Sequence, residues 1–226
     1  MGIRRGSIST PIIADGLVFN IDAANRASYV PNATLSHNTI NPLISGSFSG
    51  VTFSPLTGSG VWNFDGIDDY IDCGNDASLN ITGALTVSVW VRPSTNSNQG
   101  TFISKRSSSN TNYQLLPYGA GVRFYVGSEH PGGSSFSLQQ NMWTHIVGVF
   151  RPGQSIDLYW KGSLNQTTST STTTANTVTN PVVIGSSYNQ NAFFSGVIGP
   201  VHIYNRALSA NEVLHNYNAL KSRFGL

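Results

Sequence analysis

The sequence of 226 residues is long enough to bury a full β-sandwich core without help from disulfide bonds. Only 10% of the residues are charged, against about 25% in ordinary globular domains, which suits many strands joined by polar turns or a protein embedded in a larger assembly. The net charge of +2 and the lack of any Lys/Arg run argue against nucleic acid as a partner, and the single cysteine, Cys73, excludes an intrachain disulfide.

Residues 1–14 show no clear period and predict an extended N-terminal arm. The arm is either a loose terminus or a segment that docks on a neighbouring subunit. Its arginines, Arg4 and Arg5, are not followed by an apolar stretch, so no secretory signal is expected. No apolar run elsewhere approaches the ~20 residues of a membrane helix, which predicts a product made in the cytoplasm with no membrane contact.

Short strands separated by polar turns dominate the rest of the chain. The strand with the clearest alternation is 84–91, where Leu85, Val87 and Val89 share one face and Trp90 lies on the other. A Thr/Ser/Asn tract at 165–180 predicts either a long loop or a polar edge strand. Strand patterns cover 16–22, 61–64, 70–73, 84–91, 101–105, 113–116, 122–126, 143–150, 156–160, 182–184 and 197–204.

One helix is predicted, over about 209–221. Ser209 and Glu212 have the spacing of a capping box, and Leu208 and Val213 have the spacing of the hydrophobic staple that accompanies it. The predicted apolar face of the helix consists of Val213, Leu214, Tyr217 and Leu220. Many short strands and one terminal helix predict an all-β fold: a single sandwich of two antiparallel sheets over 15–226, preceded by the arm.

A known family pattern lies in the middle of the chain. Residues 62–93, WNFDGIDDYIDCGNDASLNITGALTVSVWVRP, resemble the F-D-G-x-D-D-Y signature of laminin-G-like domains in the concanavalin A-like lectin/glucanase superfamily. Further pieces follow in the expected order: WTHI at 143–146, DLYWKG at 157–162, VIG at 183–185 and GVIGPVHIYNRAL at 196–208. The resemblance covers about 15–220 and implies a jelly-roll sandwich.

The two ends of the chain resemble a more specific group. DGLVFNIDAANRASY at 15–29 and HNYNALKSRFGL at 215–226 are similar to the corresponding segments of laminin-G-like structural proteins of tailed bacteriophages. This resemblance implies a virion protein, synthesised in the host cytoplasm and assembled into the particle.

The superfamily also contains glycoside hydrolases, which need two carboxylates facing each other across the sugar. The sequence has two glutamates, Glu129 in a Gly/Ser-rich loop and Glu212 in the predicted helix cap, and neither alternates with a second acid along a strand. We therefore expect no enzymatic activity and assign no catalytic residue. His145 and His202 alternate within predicted strands, which indicates filling or lining of a sheet face rather than metal binding.

Calcium is an open alternative, because related domains bind it through loop carboxylates and the resemblance extends to an acid-rich turn. Asp65 and Asp68 are the candidate ligands there. Gly199 and Pro200 occupy the stretch where the family pattern has another acid, which argues against the site. The competing interpretation is an Asp-rich turn held by its own backbone amides. No other cofactor is expected.

Aromatic side chains are the candidate contacts for a carbohydrate or a protein partner, because rings stack on sugar faces and anchor interfaces. For Trp90 the alternative is packing in the core or between subunits. The loop after 183 is unusually aromatic for a tip and is a candidate partner contact. The full set is Trp90, Tyr118, Tyr125, Trp160, Tyr188, Phe193 and Phe194.

These observations predict a non-enzymatic bacteriophage virion structural protein, foremost a capsid decoration (cement) protein. Its expected partners are other virion proteins, either the major capsid protein or tail proteins, together with its own copies in a homo-oligomer. The alternative is a carbohydrate-binding, lectin-like tail-fibre or receptor-binding module with glycans as ligands. A glycan-processing enzyme that depends on Glu129 is a third, weaker interpretation.

Overall fold

The computed structural model describes residues 11–55, 60–95, 100–128, 134–187, 189 and 191–226. They form two antiparallel sheets, one α-helix, α1 (Ala210–Leu220), and short 3-10 turns at Ala77–Leu79 and Lys221–Phe224. The strands are β1 (Leu17–Ile21), β2 (Leu35–His37), β3 (Ser45–Ser49), β4 (Thr52–Ser54), β5 (Val61–Asp65), β6 (Tyr70–Asp72), β7 (Leu85–Pro93), β8 (Ile103–Arg106), β9 (Thr111–Tyr118), β10 (Gly121–Val126), β11 (Thr144–Arg151), β12 (Ser155–Trp160), β13 (Ser163–Ser169), β14 (Val183–Ile184) and β15 (Ser195–Tyr204).

The eight-stranded sheet has the order β13-β12-β11-β7-β15-β5-β4, with β1 also paired to β15. On one side β15 pairs with β7, and on the other it pairs first with β5, as far as Ile198, and then with β1, from Val201. The register shifts between these residues, at Gly199 and Pro200. Because proline has no N–H to donate to a ladder, the change of partner falls at Pro200.

The seven-stranded sheet has the order β10-β9-β8-β14-β6-β3-β2 and packs face to face with the first. Alternate residues of both sheets meet in one apolar core, for example Val87 and Val89 of β7 with Leu115 of β9 and Phe124 of β10. Gly148 of β11 leaves room for the Phe124 ring, since a Cβ there would lie 2.3 Å from its Cγ. The sandwich therefore closes around interlocking side chains.

The outer face of the eight-stranded sheet is covered by the C-terminal segment. Val213 of α1 packs on Val147 and Tyr204, while Phe224 packs on Trp90 in a separate cluster. The box at Ser209 and Glu212 caps α1 as predicted. This layer covers the outer face and the core covers the inner one, so a central strand such as β7 is buried at almost every position.

The predicted arm at 1–14 is described only from residue 11. Residues 11–14 lie against the chain's own helix: the Ile13 amide donates to Asn216 Oδ1 (2.8 Å), and the Tyr204 hydroxyl donates to the Ile13 carbonyl (3.0 Å). Residues 1–10 lie outside the described residues. None of the helices in the described ranges is long and apolar enough to cross a membrane.

Two local expectations are refined by the structure. The tract at 165–180 is a polar edge strand only as far as Ser169, where β13 ends, and is irregular beyond it. Leu214 was predicted on the buried face of α1, which is wrong: its side chain is 42% exposed. The buried position on that turn is Asn216, whose amide donates to the Tyr204 hydroxyl (2.9 Å).

Candidate functional site

The outer face of the seven-stranded sheet carries polar and aromatic side chains on β8, β9 and β10. Register places Tyr125 opposite Gln114 and Arg123 opposite Leu116, while the alternate residues of β10 point into the core. We call six of the outward side chains of these three strands the platform. It consists of Arg106, Gln114, Leu116, Tyr118, Arg123 and Tyr125.

One end of the platform is an arginine held between two tyrosines. Arg123 Cζ lies 3.1 Å from the centroid of the Tyr118 ring and 5.8 Å from that of Tyr125. Arg123 Nη1 also donates to the Tyr125 hydroxyl (3.1 Å). Cation–π contact and this hydrogen bond fix the two rings relative to each other. Tyr118 nevertheless remains 41% exposed, so part of its ring is available to a ligand.

A chain of hydrogen bonds fixes the other end. Arg106 Nη1 donates to Gln114 Oε1 (3.0 Å), and Gln114 Nε2 donates to Thr101 Oγ1 (3.2 Å). Arg106 Nε donates to the Ser107 carbonyl (3.2 Å). Because Gln114 is buried, its carboxamide cannot swing away, and the guanidinium is held in one orientation above the sheet.

A pocket of about 650 Å³ adjoins the platform at the end of the sandwich where β6 and β8 begin and β14 ends. Its wall includes a loop in which Ser187 Oγ lies 3.0 Å from both Asn189 Oδ1 and Asn191 Oδ1. Concave sites with a few fixed polar groups are where small ligands bind. The pocket is lined by Gly66, Gly100, Thr101, Arg106, Gln114, Leu116, Ser187, Asn189, Asn191, Ala192 and Phe193.

Gly100 is needed for the shape of this wall. Its φ of +94° lies in the left-handed region, and a Cβ would come within 2.5 Å of Phe194 Cα. The close approach brings the loop against the start of β8. The two adjacent phenylalanines of this loop lie in different places: Phe193 lines the pocket, and Phe194 is buried against Phe102.

The predicted aromatic contacts therefore divide into three groups. Tyr118 and Tyr125 belong to the platform and Phe193 to the pocket. Phe194 and Trp90 are buried and not available to a ligand. Trp160 is half-buried on β12 of the other sheet and stacks on Phe136, with ring centroids 5.4 Å apart. Tyr188 lies outside the described residues.

Trp90 shows why alternation alone could not settle its role. It points away from the core, as predicted, but that face is covered by the C-terminal segment. Its ring stacks on Phe224 (4.4 Å between centroids), His145 (4.9 Å) and Tyr217 (5.7 Å). The packing alternative is therefore the correct one within this chain.

Four platform residues were not predicted as site residues: Arg106, Gln114, Leu116 and Arg123. The usable signal was their position in the strand pattern, since Gln114 and Arg123 fall on the face opposite core residues in 113–116 and 122–126. Asn189 and Asn191 carried no such signal, because their loop has no period.

The acid-rich turn brings Asp65, Asp68 and Asp69 within 4.8 Å of one another. Asp65 Oδ1 accepts from the Ile67 amide (2.7 Å), and Asp69 Oδ2 accepts from the Asp65 amide (2.8 Å). Burial, and secondarily the charges of Asp65 and Asp68, raise the pKa of Asp69. Two of the three carboxylates thus accept hydrogen bonds from the backbone of the turn, whereas Ca²⁺ takes six to eight oxygens, and this favours the interpretation as an Asp-rich turn.

The glutamates form no described acid pair. Glu212 accepts from the Ser209 amide and lies 2.7 Å from Arg206 Nη2, and these partners, Arg206 first, lower its pKa to about 2. Glu129 lies outside the described residues.

The sandwich, its terminal helix and its sequence place the chain in the Concanavalin A-like lectin/glucanases superfamily. Within that superfamily it belongs to the Laminin_G_3 family, which matches residues 65–214. The predicted jelly-roll fold and superfamily are thereby confirmed. Comparison with curated proteins finds no significant match.

Solved structures share the fold at low sequence identity. Domain 4 of AbnA, an extracellular GH43 arabinanase from Geobacillus stearothermophilus solved in complex with arabinotriose, is 17% identical with a TM-score of 0.67 over 89% of this chain and 98% of that one. The binding domain of Paraclostridial Mosquitocidal Protein 1 is 16% identical (TM-score 0.68; 90% of this chain, 52% of that one). Trypanosoma rangeli sialidase in complex with sialic acid is 15% identical (TM-score 0.68; 96% and 36%).

Proposed function

We propose that this chain is a non-catalytic carbohydrate-binding domain and that its ligand lies across the platform and the adjoining pocket. The observation that carries the proposal is the combination on one face of a fixed Tyr118–Arg123–Tyr125 stack with a polar pocket of about 650 Å³. Aromatic faces suit the C–H faces of sugar rings, and carboxamides and hydroxyls suit sugar hydroxyls.

The comparisons support this function over the virion role. The arabinanase domain with the same fold was solved with an oligosaccharide, and the mosquitocidal protein's matching region is a binding domain. Because the sequence identities are low, these structures show a shared fold only, and the support for a carbohydrate ligand comes from the platform itself. A binding role without hydrolysis fits a face on which the outward side chains of β8–β10 include no carboxylate pair.

The experiment is a glycan array followed by titration calorimetry on the glycans that bind. Replacing Tyr118 by Ala removes the exposed ring, and we expect affinity to fall about tenfold, or roughly 1.4 kcal/mol. Tyr118→Phe keeps the ring and should retain most of the affinity. Leu214→Ala, at an exposed position on α1, is the control and should bind like the parent.

Two results would overturn the proposal. One is an array on which no glycan binds the folded protein. The other is unchanged affinity in both Tyr118→Ala and Arg106→Gln, since these changes together alter the two ends of the platform.

A second candidate is the bacteriophage virion structural protein, most specifically a capsid decoration protein. The observation that favours it is that the two segments with phage-type resemblance meet on the same side of the domain. Arg223 Nη1 lies 2.7 Å from Asp22 Oδ2, and Arg223 Nη2 lies 2.9 Å from Asp22 Oδ1. This face would contact the major capsid protein or tail proteins, and further copies of the chain.

Quantitative mass spectrometry of purified particles tests this candidate. A capsid-scale copy number would support decoration, and a few copies per particle would support a tail-fibre module that binds host glycans. Absence from particles would remove the virion role without affecting the carbohydrate proposal.

A further inference from the structure

Among the described residues that line the pocket, one has a charged side chain, and that charge is positive. Arg106 contributes a guanidinium to a lining otherwise made of amides, hydroxyls, glycines and apolar groups. The guanidinium is held by Gln114 and the Ser107 carbonyl, so its orientation is fixed before a ligand arrives. A fixed guanidinium is suited to a planar carboxylate, with which it forms parallel N–H···O bonds.

The opposite wall supplies complementary groups for hydroxyls. The oxygens of Asn189 and Asn191 both lie 3.0 Å from the Ser187 hydroxyl. The hydroxyl has one hydrogen, which these two oxygens share or compete for, and each carboxamide also carries an NH₂ group that can donate to a ligand. Gly66, also in this lining, lies in the turn of Asp65 and Asp68, both exposed acids. Their charge would repel an anion from that end of the pocket and favour its entry at Arg106.

From this charge distribution we infer that the ligand is an acidic saccharide whose carboxylate pairs with Arg106. The inference rests on the proposed function and specifies its ligand class. The uncharged rings of the same glycan would extend over Leu116 toward Tyr118, because Arg106 and Tyr118 lie at opposite ends of the platform.

The test uses pairs of glycans that differ only in the acid. Uronate-containing and sialylated oligosaccharides are compared with their carboxyl-reduced counterparts, which keep the ring and replace the carboxylate by a hydroxymethyl group. We expect at least one acidic glycan to bind and its reduced form to bind roughly tenfold more weakly or worse. Raising the salt concentration should weaken binding of the acidic glycan more than binding of its reduced counterpart.

Arg106→Gln should abolish the preference for the acid over its reduced form, and Arg106→Lys should keep part of it. Arg26→Gln is the matched control, because it removes the same charge at an exposed residue outside this pocket. Thermal melts of all variants establish that each is folded.

The outcomes separate the two claims. Binding of neutral glycans with no preference for their acidic counterparts overturns the inference and leaves the proposed function standing. Absence of binding to both members of every pair overturns both. An acid preference that survives Arg106→Gln overturns the assignment of the carboxylate to this pocket.

Discussion

His145 and His202 are buried between the eight-stranded sheet and the C-terminal segment. His145 Nε2 lies 2.9 Å from Ser88 Oγ, and neither Nδ1 has a hydrogen-bond partner among the described residues. Burial lowers the pKa of His145 to about 3 and that of His202 to about 4. Both are therefore neutral in the folded protein at any pH above about 5, and they pack as ordinary polar aromatic groups.

This burial predicts a loss of stability in mild acid. The unfolded chain protonates each histidine near its ordinary pKa of ~6.5, whereas the native protein protonates His202 only when the pH falls to about 4, and His145 only when it falls to about 3. Between these values the unfolded state binds more protons, so the free energy of unfolding decreases as pH falls, by up to roughly 1.4 kcal/mol per histidine per pH unit. Glu212 adds to this decrease in the free energy of unfolding only when the pH falls below its ordinary pKa of 4.5.

Urea unfolding at several pH values between 7 and about 5 measures this dependence. His202→Gln should have a shallower slope than the parent, and His37→Gln, at an exposed position on β2, should have the parent's slope. Equal stability of the parent at both ends of this range would contradict the prediction.

Asp68 offers a test of the acid-rich turn. In the absence of a cation, Asp68→Asn removes one of the charges that raise the pKa of Asp69, so we expect a small increase in melting temperature. Millimolar Ca²⁺ should leave the melting temperature of the parent unchanged. A Ca²⁺-dependent increase in the parent that is lost in Asp68→Asn would instead establish Asp65 and Asp68 as metal ligands.

At the scale of the element, α1 is the part that sequence predicted most closely. The capping box was visible because it is local: Ser209 Oγ accepts from the Glu212 amide (3.3 Å), and the Glu212 carboxylate accepts from the Ser209 amide (2.8 Å). Asn216 was not predicted to be buried, because its partners, Ile13 and Tyr204, are remote in sequence.

Removing this cap should loosen the whole C-terminal layer. Ser209→Ala leaves an amide at the helix start without its acceptor, and we expect a loss of about 1 kcal/mol in the free energy of unfolding. Chemical denaturation provides the measurement. Ser222→Ala, in the exposed part of the terminal 3-10 turn, should cost far less, and equal losses would show that the cap is not the cause.

Some strands could likewise be predicted from their local sequence, whereas others depend on partners that are distant in the sequence. Strand β7 was predicted, over 84–91, because its apolar residues alternate from Leu85 to Val91. Strands β2, β3 and β4 lie in a stretch of Asn, Ser, Pro and Gly where no strand was predicted. Their pairing is determined by β5 and β6, which supply the ladder partners that the local sequence does not reveal.

For the whole molecule, the sandwich could be predicted because alternation and the family pattern both extend along most of the chain. The site could be predicted only in part. The pocket joins Gly66, Gly100 and Arg106 with residues 187, 189 and 191–193, and these become neighbours only when β14 inserts between β6 and β8. Trp90 was ambiguous for the same reason, since the residue that covers it, Phe224, lies near the end of the chain.

The position of the C-terminal segment on the eight-stranded sheet has a practical consequence for handling the protein. A biotin or fluorophore attached after Leu226 would sit on the side of the sandwich opposite the platform. Protein immobilised on a sensor through that label would present Tyr118 and Arg106 to the flowing solution, whereas random coupling through lysines would not give a uniform orientation.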